Sequence, residues 1–101
     1  MTIRKKYTSK DLFEEYGDLT FGEVLLSFRE SDEKSQAAFA KELGLSASNL
    51  CDLEKGRKLP SPSRAVKIAK KLGVSETLLV QLALQDLLRR EKLKFKVSVA
   101  A

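Results

Sequence analysis

The sequence predicts an all-α fold with five principal helices, and three observations support that prediction. Apolar residues recur at spacings of three and four along residues 20–90, which is the period of a helix with one buried face. The predicted helices begin at serine or threonine, whose side chains can accept hydrogen bonds from the free amides of a helix start. Most of them end at glycine, which tolerates the left-handed backbone found at helix ends.

Residues 1–19 are predicted to form a basic arm and a short accessory helix outside the main domain. Residues 1–10 contain four basic residues and no acidic residue. Thr8 or Ser9 can cap a helix that ends near Tyr16. This segment is an addition to the five-helix domain at residues 20–90.

The first helix of the domain is predicted to begin after Thr20, because Glu23 follows three residues later. Such a pair forms a capping box, in which each side chain accepts a hydrogen bond from the other residue's backbone amide. The inward face is expected to consist of Phe21, Val24, Leu25 and Phe28. The charged stretch from Arg29 to Lys34 is predicted to be an exposed helix end and connector.

Two short helices are predicted between Ser35 and Leu53. The first ends at Gly44, and its apolar stripe is expected to consist of Ala37, Phe39, Ala40 and Leu43. Ser46 can cap the second helix, which Leu50 and Leu53 attach to the core. Two helices joined by a turn of about three residues that contains a glycine form the helix-turn-helix pattern.

Two longer helices complete the predicted domain. One is capped by Ser61 and carries Pro62 at its first position, where the missing amide has no cost. The last helix is capped by Ser75 and runs to about Arg90. Its final turns carry leucines that a monomer need not bury, and these predict a dimer or partner surface.

Residues 91–101 form a tail in which apolar and polar residues alternate. Its apolar residues are Leu93, Phe95, Val97 and Val99. This alternation predicts a short C-terminal strand with one buried face. A lone strand has no sheet to join in a helical domain. It would therefore pair with its copy in a second subunit, add to the sheet edge of a partner, or stay disordered.

Composition excludes several kinds of site. The chain has 101 residues, one cysteine and no histidine, so it fits one domain and can form neither an intrachain disulfide nor a Cys/His zinc site. It has no glycine-rich phosphate loop and no plausible pair of catalytic carboxylates, so it is not expected to be an enzyme. No apolar run approaches membrane-spanning length. The sequence therefore predicts a cytoplasmic protein that uses no cofactor and no metal.

The distribution of charge points to a polyanionic partner. The formal net charge is +5 and the sequence pI is about 9.4. The segment from Lys55 to Lys71 contains seven basic residues and no acidic residue. Positive charge therefore follows directly after the helix-turn-helix pattern, where the phosphates of a bound nucleic acid would lie.

Residues from Thr20 to about Leu82 resemble the Xre/Cro family of phage-repressor-like DNA-binding domains. The matching residues, in order, are Ser35-Gln36, Phe39-Ala40, Leu43-Gly44-Leu45-Ser46, Leu50, Leu53-Glu54-Lys55-Gly56, Pro60-Ser61 and Ile68 to Ser75. The resemblance implies a five-helix domain that binds double-stranded DNA with a recognition helix, residues 46–55, in the major groove. It also implies a transcriptional regulator, in particular a repressor that binds a two-fold operator as a homodimer.

The expected DNA contacts divide into two groups. Phosphate contacts are expected from the free amides at the helix starts and from Gln36, Lys55, Arg57 and Lys58. The family uses a glutamine at the position of Gln36 both to contact phosphate and to brace the recognition helix. Base contacts are expected from Ala47, Ser48, Asn49 and Asp52, with Lys55 as a further candidate.

Three features of this surface have open interpretations. Ser46, Ser48 and Asn49 are either DNA contacts or only capping and first-turn residues. The basic arm is either a solvated terminus or a further contact to DNA. Many family members carry arginine or glutamine where this chain has Ala47 and Asp52. Because an acidic residue near phosphates weakens binding unless it is paired, one subunit is expected to bind DNA weakly.

A second function stays open, the antitoxin of a toxin–antitoxin pair of the HigA type. The resemblance implies that such antitoxins use the same domain, repress their own operon and neutralise a toxin that is commonly a small ribonuclease. The features that favour this function are the extra N-terminal helix, the leucine-rich last helix, the strand-like tail and the recognition helix without arginine.

Overall fold

The computed structural model describes residues 19–100, so the predicted basic arm and accessory helix lie almost wholly outside the described residues. The described chain contains helices and no strand. The five helices are α1 (Phe21–Ser31), α2 (Gln36–Leu43), α3 (Ala47–Glu54), α4 (Pro62–Leu72) and α5 (Glu76–Arg90). The prediction of an all-α domain is confirmed.

The helix starts are those that the capping residues predict. Thr20 Oγ1 accepts a hydrogen bond from the Glu23 amide at 3.1 Å, and Glu23 Oε1 accepts one from the Thr20 amide at 2.9 Å. The predicted capping box is therefore present. Ser46, Ser61 and Ser75 cap α3, α4 and α5 as predicted, each accepting a bond from an amide three residues later.

The turn between α2 and α3 depends on Gly44. Its φ angle is 72°, in the left-handed region that glycine adopts without steric cost. The next amide, of Leu45, donates to the carbonyl of Ala40 at 2.8 Å and satisfies a free acceptor at the end of α2. This turn sets α3 across α2, as the helix-turn-helix pattern requires.

The helices enclose one apolar core. α4 packs along α5, while α1 and α2 both pack against α3. The predicted inward residues of α1, α2 and α3 are buried with one exception. Ala37 is exposed, which corrects its placement in the apolar stripe of α2. It lies two positions before the buried Phe39, and residues two apart on a helix point about 200° apart.

Gly22 lets α1 approach the end of α3 closely. A Cβ atom at this position would lie 2.3 Å from the carbonyl oxygen of Leu53 and 2.6 Å from that of Glu54. Glycine is a poorer helix former than alanine. Here the absence of a side chain allows the contact between the two helices.

Asp86 joins the last helix to the first. Its side chain is 7% exposed, and its Oδ2 accepts a hydrogen bond from the Phe21 amide at 2.9 Å. Arg89 Nη1 donates to the other carboxylate oxygen at 3.0 Å. Burial raises the pKa of Asp86, although both hydrogen bonds oppose that rise.

The tail does not form the strand that its alternation predicts. Its backbone is paired instead with glutamine side chains of α5. Gln85 donates to the Phe95 carbonyl and accepts from the Val97 amide, both at 2.8 Å. Gln81 accepts from the Val99 amide at 3.2 Å. The described chain offers no neighbouring strand, so the side-chain amides of α5 make the hydrogen bonds that a strand would otherwise make.

Two further kinds of structure are missing from residues 19–100. No helix there is long and apolar enough to cross a membrane. No group of three or more metal-binding side chains of the His, Cys, Asp or Glu type occurs in this range either.

Replacement of Gly22 by alanine is expected to lower stability, although alanine is the better helix former. Overpacking against two backbone oxygens should cost about 1–3 kcal/mol and exceed the gain in helix propensity. Urea unfolding measures the difference. Ala37→Gly, at the exposed second position of α2, is the matched control, because it measures the effect of one methyl group on helix propensity without a close contact. A Gly22→Ala variant as stable as the wild type would contradict the close helix contact.

Stability is expected to depend on the titration of Asp86. A raised pKa means that the folded state holds the proton more tightly than the unfolded state does. The contribution of this group therefore falls as the pH rises through the interval between its ordinary and its folded pKa. The free energy of unfolding of the wild type minus that of Asp86→Asn should decrease as the pH rises above about 4, the ordinary pKa of an aspartate side chain. An increase over that range would mean that the hydrogen bonds outweigh burial.

Candidate nucleic-acid interface

The exposed face of α3 is the centre of the candidate interface. Leu50 and Leu53 are buried on one side of this helix, as predicted. Ala47 and Ser48 are exposed on its first turn, and both have small side chains. Another molecule can therefore come close to the backbone at the start of α3.

The start of α3 has fewer free amides than the sequence predicted. Ser46 Oγ accepts a hydrogen bond from the Asn49 amide at 3.0 Å, so this amide is already used within the helix. Ser46 is thus a cap in this structure. The amides of Ala47 and Ser48 make no hydrogen bond within the described chain, so they are the groups at this end that could meet an anion.

A buried carboxylate fixes the other end of α3. The Glu54 side chain is only 3% exposed. Arg29 Nε donates to its Oε2 at 2.7 Å, and Arg29 Nη2 donates to its Oε1 at 3.2 Å. Gln36 Nε2 donates to the same Oε1 at 2.9 Å. One carboxylate therefore links the end of α1, the start of α2 and the end of α3.

This network corrects one prediction and bears on another. Arg29 was expected in an exposed connector, but its side chain is only 18% exposed. Hydrogen bonding to Glu54 raises the pKa of this guanidinium, so it remains charged. Gln36 was expected both to contact phosphate and to brace the recognition helix, and its side-chain amide makes the bracing contact with Glu54.

The sequence contained part of the signal for this network. Glu54 lies four residues after Leu50 and next to Leu53, so helical spacing places it on the buried side of α3. A carboxylate in that position needs a partner. Its partners Arg29 and Gln36 are 25 and 18 residues away in the sequence, and no local pattern identifies them.

Asp52 lies at the centre of a second, more exposed group of charges. Arg57 Nε donates to its Oδ1 at 3.0 Å. Lys58 Nζ lies 3.6 Å from its Oδ2 and donates to Asn49 Oδ1 at 3.1 Å. The four residues Asn49, Asp52, Arg57 and Lys58 are called the Asp52 cluster below. The structure thus brings two predicted base contacts together with two predicted phosphate contacts.

The carboxylate of the Asp52 cluster is ionised and compensated. The hydrogen bond from Arg57 lowers the pKa of Asp52, and the charge of Lys58 lowers it further. The acidic residue predicted to weaken DNA binding is therefore paired within the protein. The same pairing occupies the two cations, whose side chains are 57% and 59% exposed.

Lys55, the remaining predicted phosphate contact, is exposed. The Lys55 side chain makes no hydrogen bond or ion pair among the described residues, so its charge is available to a ligand. Arg64, at the start of α4, lines a shallow depression of about 250 Å³ together with Asn49 and Lys58. Positive charge therefore lies beside the exposed face of α3, next to the loop that follows this helix.

The comparison with protein families agrees with this geometry. A family model described as helix-turn-helix matches residues 25–79, more than half of the chain, from within α1 into α5. The comparisons with curated proteins and with solved structures gave no match. The chain therefore belongs to the helix-turn-helix family of the Xre/Cro type, whose members are DNA-binding transcription regulators.

Proposed function

We propose that this regulator is a repressor that binds a two-fold operator as a homodimer, with residues 46–55 of each subunit in the major groove. The observation that carries this proposal is the exposed face of α3. Its first turn has small side chains, and the loop at its other end carries three cations. A surface of this kind fits a groove between two phosphate backbones.

Within this arrangement, the candidate residues have separate roles. Ala47, Ser48, Asn49 and Asp52 face the base edges. Asn49 can make two hydrogen bonds to adenine, and Asp52 can accept one from the N4 amino group of cytosine. Lys55, Arg57, Lys58 and Gln36 lie toward the phosphates, with the cap residue Ser46 between the two groups. Phosphate contacts position the protein, while base contacts select the sequence.

The end of α5 and the tail support the proposed homodimer. Leu87, Leu93 and Phe95 are 48%, 45% and 67% exposed, which is unusual for large apolar side chains close together in the sequence. Lys94, Lys96 and Ser98 make no backbone hydrogen bond within the described chain. One edge of the extended tail is therefore open, and an antiparallel copy related by two-fold symmetry would fit it.

The antitoxin function is the second candidate, and the same exposed side chains favour it. A toxin could cover Leu87, Leu93 and Phe95 in place of a second copy of the chain. The two functions overlap, since an antitoxin of this family also binds its operator. The deciding observation is whether a second protein, encoded beside this gene, co-purifies with the chain.

Two substitutions should separate base recognition from phosphate binding. Lys55→Gln is expected to weaken binding to an operator selected from a random DNA pool and to random DNA alike, and to reduce the salt slope by about one for each subunit, or about two for the homodimer. Asn49→Ala should instead lower discrimination at one base pair by about 5- to 100-fold. Fluorescence anisotropy at several salt concentrations measures both effects.

Lys94→Gln is the control for these variants, because it removes the same charge from the tail. Equal weakening by Lys94→Gln and Lys55→Gln would argue against a phosphate contact at Lys55. A pool without any enriched sequence would mean that the chain alone does not select an operator.

Sedimentation equilibrium should test the proposed dimer surface. Phe95→Ser is expected to raise the dimer dissociation constant about tenfold or more, because Phe95 is an exposed aromatic residue of the kind that anchors interfaces. The fold of the monomer should change little, since the side chain is largely exposed. Lys94→Ser, at the neighbouring position, should leave dimerisation nearly unchanged. A wild type that is monomeric at all concentrations would contradict the homodimer and favour a partner protein.

A further inference from the structure

We propose that Asp52 couples base recognition to phosphate binding. In the free protein it holds Arg57 and Lys58 against the recognition helix, and it releases them to the DNA backbone when a base takes its carboxylate. This inference rests on the proposed docking of α3 in the major groove. It adds a coupling between two groups of contacts that would otherwise act independently.

The geometry of the Asp52 cluster supports the holding step. Arg57 uses its Nε–H for Asp52 and places Nη2 3.4 Å from Cys51 Sγ. Lys58 lies between Asp52 and Asn49. Both cations are therefore bound along the side of α3 that carries two candidate base contacts. While the two side chains keep these contacts, they are not free to turn outward and bind phosphates.

The exposure of the same groups supports the release step. The side chains of Arg57 and Lys58 are more than half exposed, so their attraction to Asp52 is screened by water. Exchange of such a pair for a phosphate contact has a low cost. The buried pair of Arg29 and Glu54, in contrast, has no comparable access to solvent.

A base donor decides which state of the Asp52 cluster is favoured. When a cytosine amino group donates to the Asp52 carboxylate, it replaces part of what the cations supplied. Arg57 and Lys58 then turn to the backbone, and each new phosphate contact releases counterions. On DNA without that donor, Asp52 retains the cations, and binding remains weak.

The turn after α3 does not need the Asp52 side chain. The amides of Arg57 and Lys58 donate to the backbone carbonyl of Asp52 at 2.9 and 3.3 Å. These bonds remain when the carboxylate is replaced. A variant such as Asp52→Asn should therefore retain the loop while it loses most of its hold on the cations.

The first test measures binding of Asp52→Asn to a random-sequence duplex over a series of salt concentrations. Its affinity should rise about three- to tenfold, and its salt slope should become steeper by about one to two for each bound subunit. Glu91→Gln is the matched control, because it also removes one negative charge and its side chain makes no bond within residues 19–100. The control should change affinity by less than about twofold. Equal increases for both variants would mean that Asp52 acts only through net charge, which overturns the proposal.

A double-mutant cycle tests whether Asp52 acts through Arg57. In the wild type, Arg57→Gln should change random-duplex affinity by less than about twofold, because Arg57 is held by Asp52. In the Asp52→Asn background, the same substitution should lower affinity about threefold or more. If the two substitutions had additive effects on affinity, the proposed coupling would be overturned. NMR spectra of the backbone amides check the fold of each variant. Asp52→Ser provides a second substitution that removes the carboxylate.

The operator separates this proposal from the proposed function. In the wild type, the salt slope for the operator should exceed that for random DNA by about one to two for each subunit, and Asp52→Asn should abolish most of the difference. A difference that persists in Asp52→Asn would overturn the coupling and leave the operator function intact. If no operator is recovered, the proposed function fails, while the random-duplex measurements still decide whether Asp52 holds the cations.

Discussion

The position of the recognition helix depends on the buried carboxylate of Glu54. A charge with this little exposure is costly unless several donors compensate it, and Arg29 and Gln36 supply three hydrogen bonds. Removal of one partner from such a network typically costs about 3–5 kcal/mol. Gly22 brings α1 against the carbonyls of the same turn. The end of α3 is therefore held by directional contacts as well as by apolar packing, which limits its rotation relative to α1 and α2.

Local features of the fold were predictable because their chemistry lies within a few residues of the chain. The capping box of Thr20 and Glu23 and the left-handed turn at Gly44 are of this kind. Contacts between distant residues were not predictable. Arg29 and Glu54 are 25 residues apart, and the Phe21 amide and Asp86 are 65 apart. Helical spacing indicates that Glu54 and Asp86 point inward, but many charged residues could serve as partner, and only the packed structure selects one.

The tail shows why a strand pattern does not by itself produce a strand. Alternation specifies which side chains share a face, whereas a strand also needs hydrogen-bonding groups at a regular spacing beside it. Gln81 and Gln85 supply that spacing. Residues four apart on a helix are separated by about 6 Å along its axis, close to the separation of residues two apart in an extended chain. Side-chain amides thus pair with Phe95, Val97 and Val99, while the opposite edge stays open.

Two groups of charges on this domain differ in burial, and that difference separates their roles. Glu54 and Arg29 are shielded from solvent, so their interaction is strong, hard to exchange and suited to fixing a helix. Asp52 and its two cations lie near water, where an ion pair contributes about 0–1 kcal/mol and can be replaced. Prediction of the site from sequence identified Asp52, Arg57 and Lys58 individually but not their mutual contacts, because the loop that folds them together is defined only in three dimensions. In the proposed docking, the half-buried carboxylate of Asp52 therefore need not be a defect of the site, because it would make the phosphate contacts depend on the base that α3 meets.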